Sequence, residues 1–180
     1  FNFYKNKKNI EKLFNVLHVL ACDNPDFGYT QGFNFIVGYF LMKNQGDELK
    51  TFKLITSFLK NDKYGLRGLF IDEFPKLFLT KYQITKLIEK YLPELDSYFK
   101  NIKLDMLSWL SSWILTLFAK NLEQLNLIEM NKFFDYYIKE GWIVVIKFCM
   151  IILEQTKSNI LTKDFSELLV YFNDKIWDDL

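Results

Sequence analysis

The sequence predicts an all-α fold without a sheet, and three observations support this prediction. Apolar residues recur three and four positions apart along nearly the whole chain of 180 residues, which is the spacing of one helix face. No segment alternates convincingly with a period of two, as a half-buried strand does. The seven glycines and three prolines are too few for the regular turns of an all-β protein. These patterns predict about eight to ten helices.

The first three predicted helices have clear limits. One face of the first helix carries Ile10, Leu13, Phe14, Leu17, Leu20 and Ala21. Residues 23–26 include a proline and end this helix. Residues 31–42 are apolar almost all round, which predicts a helix at the centre of the fold rather than on its surface. Gly46 then marks a stop, and Asp47 is the predicted N-cap of the third helix.

The middle of the chain contains shorter predicted elements before a long one. Two short helices are predicted, one over residues 72–78 with Asp72 as its N-cap and one over residues 81–91. Pro93 opens another turn of helix. A long apolar helix is predicted over residues 106–119.

The last part of the chain predicts three more helices. Two of them cover residues 129–139 and 142–156, and Gly141 separates them. Thr162 is the predicted N-cap of a final amphipathic helix.

Composition and charge exclude several classes of protein. Half of the residues are hydrophobic and 18% are aromatic, which excludes a disordered linker and suits a single domain over residues 1–180. The net charge of +1 is too small for a protein that binds nucleic acid through its phosphates. No apolar run is long enough for an integral membrane segment, and no signal-peptide pattern opens the chain. Two cysteines without a disulfide framework favour a reducing, cytoplasmic location.

The residues for a metal site or a nucleophilic site are scarce. His18 and Cys22 lie one helical turn apart, at a spacing that can place two metal ligands on one face. A zinc site needs three or four ligands, and the sequence contains no other histidine. His18 would also have to be the base of any Ser-His-Asp or Cys-His-Asn site, and no glycine-rich phosphate loop is present. We therefore predict no metal site and no cofactor site in this chain.

A short segment before the most apolar helix carries most of the functional information. It reads Gly28-Tyr29-Thr30-Gln31-Gly32-Phe33-Asn34. The segment resembles the Y-x-Q-G-M-N motif of the TBC family, the Rab GTPase-activating domains, with Phe33 in place of the usual methionine. Three fixed letters recur by chance in a modest fraction of proteins, so this motif alone has low specificity.

Later segments strengthen the resemblance because they follow in the family's order. They are Tyr64-Gly65-Leu66-Arg67, similar to Y-x-L-R; Leu92-Pro93-Glu94-Leu95, similar to P-x-L; Ser108 to Phe118 with Trp109 and Trp113, similar to the W-x-x-x-L-F helix; and Phe134-Asp135 and Gly141-Trp142, similar to W-D and a glycine. Phe134 replaces the usual tryptophan and keeps a large apolar group. The resemblance covers about residues 10–160 and implies the multi-helix TBC fold.

The resemblance implies an activity on a second protein. GTP hydrolysis needs a water held in line with the γ-phosphoryl group and positive charge on the transition-state oxygens. A glutamine carboxamide can orient that water without ionising, and Gln31 is implied to do so as a glutamine finger. Gly32 is implied to give the partner close access to the backbone, and Tyr29 and Asn34 to support GTPase binding. A purely structural role stays open for Gln31, Tyr29 and Asn34.

The implied partner is a Rab-family small GTPase in its GTP-bound state. GTP and Mg²⁺ would belong to that partner, and this chain would be an activator rather than an enzyme with its own substrate site. The expected setting is vesicle trafficking, with the protein cytoplasmic or held at endomembranes through the Rab. No nucleic acid and no integral membrane segment are expected.

The family's second catalytic element is absent from this sequence. TBC domains carry an Arg finger in an I-x-x-D-x-x-R motif upstream of Y-x-Q-G, and residues 1–8 resemble the stretch that follows that arginine. Arg67 is the only arginine in the chain, matches a different family position and is expected to anchor a loop. Either the finger lies upstream of Phe1 or the protein lacks it. The first alternative predicts a Rab activator, and the second a catalytically inactive TBC-like module that binds a small GTPase or scaffolds a complex.

Two structural expectations concern the central helix and the residue before it. Ile36, Phe40 and Leu41 should be buried, and Gly38 should allow a close contact with another helix. Gln31 should lie at the surface, at the mouth of a groove beside residues 23–28.

Overall fold

The computed structural model describes residues 2–26, 30–121 and 127–180, and over these residues every regular element is helical. The predicted all-α class is confirmed. The α-helices are α1 (Lys7–Asp23), α2 (Phe33–Lys43), α3 (Glu48–Lys60), α4 (Pro75–Tyr91), α5 (Pro93–Asn101), α6 (Leu107–Leu115), α7 (Leu127–Glu140), α8 (Ile143–Gln155), α9 (Lys157–Leu161) and α10 (Phe165–Val170). Short 3₁₀ turns cover Asn2–Lys5, Arg67–Leu69 and Ile176–Asp179, and a π turn covers Tyr171–Lys175.

Side-chain caps mark the start of several helices. The Asp47 carboxylate accepts a hydrogen bond from the Lys50 backbone N–H at 2.8 Å, so the predicted N-cap of α3 is confirmed. The N-cap of α10 is Asp164, which forms a capping box with Glu167. The prediction of Thr162 for this role was wrong, because the carboxylate two residues later has a glutamate at the reciprocal position and the threonine has none.

α4 is one unbroken helix, where two short ones were predicted. Its buried residues, Leu77, Thr80, Ile84 and Ile88, form a single continuous face. Thr80, between the two predicted halves, is buried in this face, and its hydroxyl donates to the Lys76 carbonyl at 2.7 Å, so it does not interrupt the helix. The helix begins at Pro75, so the prediction of Asp72 as its N-cap was wrong.

α6 ends four residues earlier than predicted. After Leu115 the backbone turns through two left-handed residues, Leu117 at φ 46° and Phe118 at φ 59°. The Phe118 N–H donates to the Trp113 carbonyl at 2.8 Å and closes this turn. Leu117 and Phe118 are fully buried, so their apolar character reflects burial and does not distinguish a helix from a buried turn.

α2 is the central helix, as predicted, although it begins at Phe33 rather than Gln31. Ile36, Phe40 and Leu41 are buried. The helix packs against α1 and α3, and the Phe40 ring lies 5.1 Å from that of Phe134 in α7.

The close contact predicted at Gly38 is made by a side chain rather than by a helix backbone. The Tyr4 hydroxyl, from the 3₁₀ turn before α1, donates to the Gly38 carbonyl at 2.6 Å. A methyl group on Gly38 would lie 3.4 Å from the same hydroxyl oxygen.

A cluster of aromatic side chains joins α6 to the last turns of the chain. The Trp109 ring stacks on Phe172 at 4.3 Å, and the Trp113 Nε1–H donates to the Phe172 carbonyl at 3.2 Å. Trp177 packs edge-on against Trp113 at 5.3 Å. None of the helices in the described ranges is long and apolar enough to cross a membrane.

Candidate functional site

The candidate site is built on the turn formed by residues 30–33, called here the Gln31 turn. The Phe33 N–H donates to the Thr30 carbonyl at 3.2 Å and closes it. Gly32 has a φ of 106°, a left-handed value that glycine adopts without steric cost. Gln31 is exposed, as expected, and precedes the buried start of α2. The turn therefore presents a polar amide to solvent from a short, hydrogen-bonded backbone.

Gly32 has a structural requirement of its own. It is buried, and a Cβ at this position would lie 2.9 Å from the carbonyl oxygen of Leu115, the last residue of α6. The backbone of the Gln31 turn thus rests directly on the C-terminal end of α6. This internal contact accounts for the glycine, and the implied access for a partner at Gly32 stays a prediction.

The other two predicted site residues flank the turn. Asn34 is the second residue of α2 and is partly exposed. Tyr29 lies outside the described residues, as does part of the groove expected beside residues 23–28. The roles implied for Asn34 and Tyr29 stay predictions.

The residues after α1 are held by Arg67. Asn24 is buried, and its Nδ2 donates to the Leu20 carbonyl at 2.8 Å, which ties it to the last turn of α1. Its Oδ1 accepts from Arg67 Nη1 at 3.1 Å. Arg67 Nη2 forms an ion pair with the Asp26 carboxylate. The expectation that Arg67 anchors a loop is confirmed.

The segment that carries Arg67 also contacts the far side of the Gln31 turn. Residues 66–70, called here the clamp segment, include the buried Leu66, Leu69 and Phe70. The Phe70 ring lies 4.8 Å from the ring of Phe33, the first residue of α2. The same short segment therefore touches the chain both before and after the exposed glutamine.

The clamp segment is itself fixed to α7 and α8 through the loop that precedes it. The Trp142 N–H donates to the Lys63 carbonyl at 2.9 Å, and the Tyr137 hydroxyl donates to the Tyr64 carbonyl at 2.8 Å. A Cβ on Gly141, whose φ is 78°, would lie 2.4 Å from that Lys63 oxygen. The glycine is therefore needed for the loop to approach the corner between α7 and α8.

His18 and Cys22 come together on the exposed side of α1. The Cys22 sulfur and His18 Nε2 are 3.9 Å apart, and the ring of Phe14 stacks on that of His18. Within the described part of the chain, no group of three or more His, Cys, Asp or Glu residues could hold a metal ion.

Comparison with known protein families identifies the family of this chain. Residues 1–161 match the model of the Rab-GTPase-TBC domain. The chain belongs to this family.

Two similar proteins match this chain over a segment of a much longer sequence. The chain is 31% identical over 169 residues to GTPase-activating protein GYP5 of Saccharomyces cerevisiae, a match that covers 94% of this chain and 18% of that protein. It is 31% identical over 173 residues to the human Ecotropic viral integration site 5 protein homolog, covering 95% of this chain and 20% of that protein. The chain therefore spans about a fifth of the length of these relatives.

A solved structure has the same fold. The crystal structure of the Chlamydomonas flagellar RabGAP TBC domain superposes with a TM-score of 0.76 at 23% identity, over 90% of this chain and 52% of that one.

Sequence reasoning found the exposed glutamine of this TBC domain but missed the contacts that hold it. Asn24 is a buried amide that bridges α1 and Arg67, and its signal in the sequence was only an Asn-Pro pair after a helix. The contact of Gly32 with Leu115 left no signal beyond the glycine itself, because the two residues are far apart in the chain.

Proposed function

We propose that this TBC domain accelerates GTP hydrolysis by a Rab-family small GTPase in its GTP-bound state. The observation that carries the proposal is the exposed Gln31 on a turn that rests on α6. Relatives named as GTPase-activating proteins support it, among them the Rab GTPase-activating protein eat-17 of Caenorhabditis elegans, 30% identical over 176 residues.

Gln31 acts as a glutamine finger in this proposal. Its carboxamide oxygen accepts a hydrogen bond from the attacking water, and its NH₂ group donates to a phosphate oxygen. A short turn that is closed by a hydrogen bond and rests on α6 limits the motion of the amide, and a positioned group contributes more to rate than a mobile one. GTP and Mg²⁺ are bound by the GTPase.

The positive charge for the transition state has to come from elsewhere. Arg67 is paired with Asp26, and the sequence has no second arginine. In this proposal the charge comes from an arginine that these 180 residues do not contain. The protein would then act at the trafficking membrane that carries its Rab, held there by the partner.

The proposal predicts a weak activator as the chain stands. An Arg finger contributes roughly 10³ to 10⁵ in rate, and lysines such as Lys5 or Lys8 lack the planar fork that bridges phosphate oxygens. Single-turnover GTP hydrolysis by a panel of Rab proteins tests this, with the present chain and with a version extended upstream. Strong acceleration by the extended version alone is expected. Strong acceleration by the present chain would contradict the need for an upstream finger.

The glutamine finger has its own test in the extended version. Gln31→Ala should lower the stimulated rate by about a hundredfold or more, as loss of one positioned donor does, and leave unfolding nearly unchanged. Gln155→Ala is the matched control, because Gln155 is also exposed and lies at the end of α8. Equal rates for the two variants would exclude Gln31 as the finger.

The second candidate is a TBC-like module that binds a GTPase without activating it. The pairing of Arg67 with Asp26 favours it, because the only arginine of the chain is already engaged. An extended version that folds, binds a GTP-loaded Rab and gives no acceleration would establish this alternative.

A further inference from the structure

The clamp segment holds the chain on both sides of the Gln31 turn. Arg67 contacts Asn24 and Asp26, which follow α1, and Phe70 contacts the first residue of α2. Gln31 itself is exposed, so the position of its amide depends on how firmly the backbone on either side is held.

The Arg67 contact is more than a surface ion pair. One arm of the guanidinium donates to the side chain of Asn24, which is 7% exposed, and the other arm pairs with Asp26. Since Asn24 also donates to the Leu20 carbonyl of α1, the guanidinium joins the end of α1 to the clamp segment. Loss of Arg67 would leave the Asn24 oxygen without this donor and Asp26 without its counter-charge.

The geometry requires an arginine rather than any cation. The guanidinium has donors on two separate arms in a fixed plane, so one side chain reaches Asn24 and Asp26 at once. A lysine ammonium can restore the charge opposite Asp26, but it has no second arm for Asn24. Arg67→Lys should therefore separate the effect of charge from the effect of the bridge.

We propose that Arg67 is a positioning residue for the glutamine finger. By holding Asn24 and Asp26 it fixes the clamp segment to the end of α1, and the clamp segment in turn packs on Phe33 and holds the Gln31 turn. This inference rests on the proposed function, because it takes Gln31 as the group that orients water. Arg67 does not itself contact GTP in this account. Its effect on hydrolysis passes through Gln31 alone.

A double-mutant cycle in the upstream-extended protein tests the inference with GTP-loaded Rab. The variants are Arg67→Ala, Arg67→Lys, Gln31→Ala and the combination of Arg67→Ala with Gln31→Ala. Lys86→Ala is the matched control, because its ion pair with Glu89 has side-chain exposures of 56% and 47%, near the 45% and 41% of Arg67 and Asp26. The measured quantities are kcat and KM for the Rab substrate.

We expect Arg67→Ala to lower kcat about tenfold to a hundredfold, the loss that misplacement of a catalytic group by about 1 Å produces. KM should stay within about twofold, and Lys86→Ala should match the unaltered protein. Arg67→Lys should recover only part of the loss. The double variant should be no slower than Gln31→Ala, because residues that act as one unit are not additive.

The failures of the two proposals are distinguishable. If Gln31→Ala is as fast as the unaltered protein, the glutamine finger is excluded. If Gln31→Ala is slow and Arg67→Ala is fast, only the positioning role is excluded. Losses that multiply in the double variant would also overturn it, since they would show that Arg67 acts independently of Gln31.

Hydrogen exchange gives a readout that does not depend on activity. The Phe33 amide closes the Gln31 turn through Thr30, so its exchange reports opening of the turn. Arg67→Ala should speed this exchange by about tenfold or more relative to amides in the middle of α8, and Lys86→Ala should not. Unchanged exchange at Phe33 in Arg67→Ala would overturn the proposal.

Discussion

At Gly32 the backbone has room for a hydrogen atom and nothing larger. The φ of 106° is one that other residues rarely adopt, and the Leu115 carbonyl oxygen would lie 2.9 Å from a Cβ. Gln31, its neighbour, is exposed and makes no such demand on the fold. The identity of Gly32 is thus required by steric contact, whereas that of Gln31 is explained by the chemistry of its side chain.

Gly32→Ala should lower the free energy of unfolding by about 2 kcal/mol, because it adds both backbone strain and a close contact. Gly38→Ala is the matched control: it lies within α2, and its Cβ would be in ordinary contact with Tyr4 at 3.4 Å. That control should be near neutral, since alanine also favours the helix. Urea denaturation measures both variants, and equal losses would contradict the steric account of Gly32.

Among the elements, the last two turns of the chain depend on polar contacts as well as on apolar burial. Burial raises the pKa of Tyr171 to about 12, and its hydroxyl donates to Asp179 at 2.5 Å. Asn159, from α9, donates to the same carboxylate at 2.9 Å. These two hydrogen bonds lower the pKa of Asp179 and connect the final 3₁₀ turn to the helices before it.

A lowered carboxyl pKa in the folded state stabilises the protein above the unfolded pKa, and this contribution is lost as the pH falls through the folded pKa. Asp179→Asn should therefore be less stable than the unaltered protein at pH 7, and the difference should shrink when the pH falls below about 4. Asp178→Asn, at the neighbouring exposed position, is the control for the loss of one negative charge. Urea unfolding at pH 7 and below about pH 4 measures the difference in stability. A difference that is the same at both pH values would contradict the stabilising role of the Asp179 carboxylate.

In the whole molecule, α2 packs among α1, α3 and α7. Its residues from Ile36 to Leu41 are all buried, and its aromatic rings meet those of α3 and α7, with Phe40 5.3 Å from Phe58 and Tyr39 4.1 Å from Phe134. The Gln31 turn leads directly into this buried helix, so the candidate site is supported by the core of the fold.

Phe40→Asp should cost several kcal/mol through an unpaired buried charge and lost contacts, a large share of the roughly 5 to 15 kcal/mol that stabilises a typical domain. Phe14→Asp makes the same chemical change at a side chain that is 66% exposed, against 3% for Phe40. It should change stability by about 0.5 kcal/mol or less. Thermal unfolding followed by circular dichroism compares the two, and similar losses would show that α2 is not central to stability.

Local patterns in the chain were sufficient for the helical class, for the central place of α2 and for the Asp47 cap. Each of these depends on residues within a few positions of one another, where periodicity and capping chemistry apply. The exposed glutamine was found from the resemblance of a short motif to the TBC family.

The support of the site was decided only when the helices came together. Arg67 meets Asn24 and Asp26 across 43 and 41 positions of sequence, and Gly32 meets Leu115 from the end of a helix that stops earlier than its apolar pattern predicts. Such contacts cannot be predicted from neighbouring residues, because they depend on how whole helices pack against one another. A buried helix and a buried turn are equally apolar, so the sequence pattern could not show where α6 ends. That end was decided by the tertiary structure.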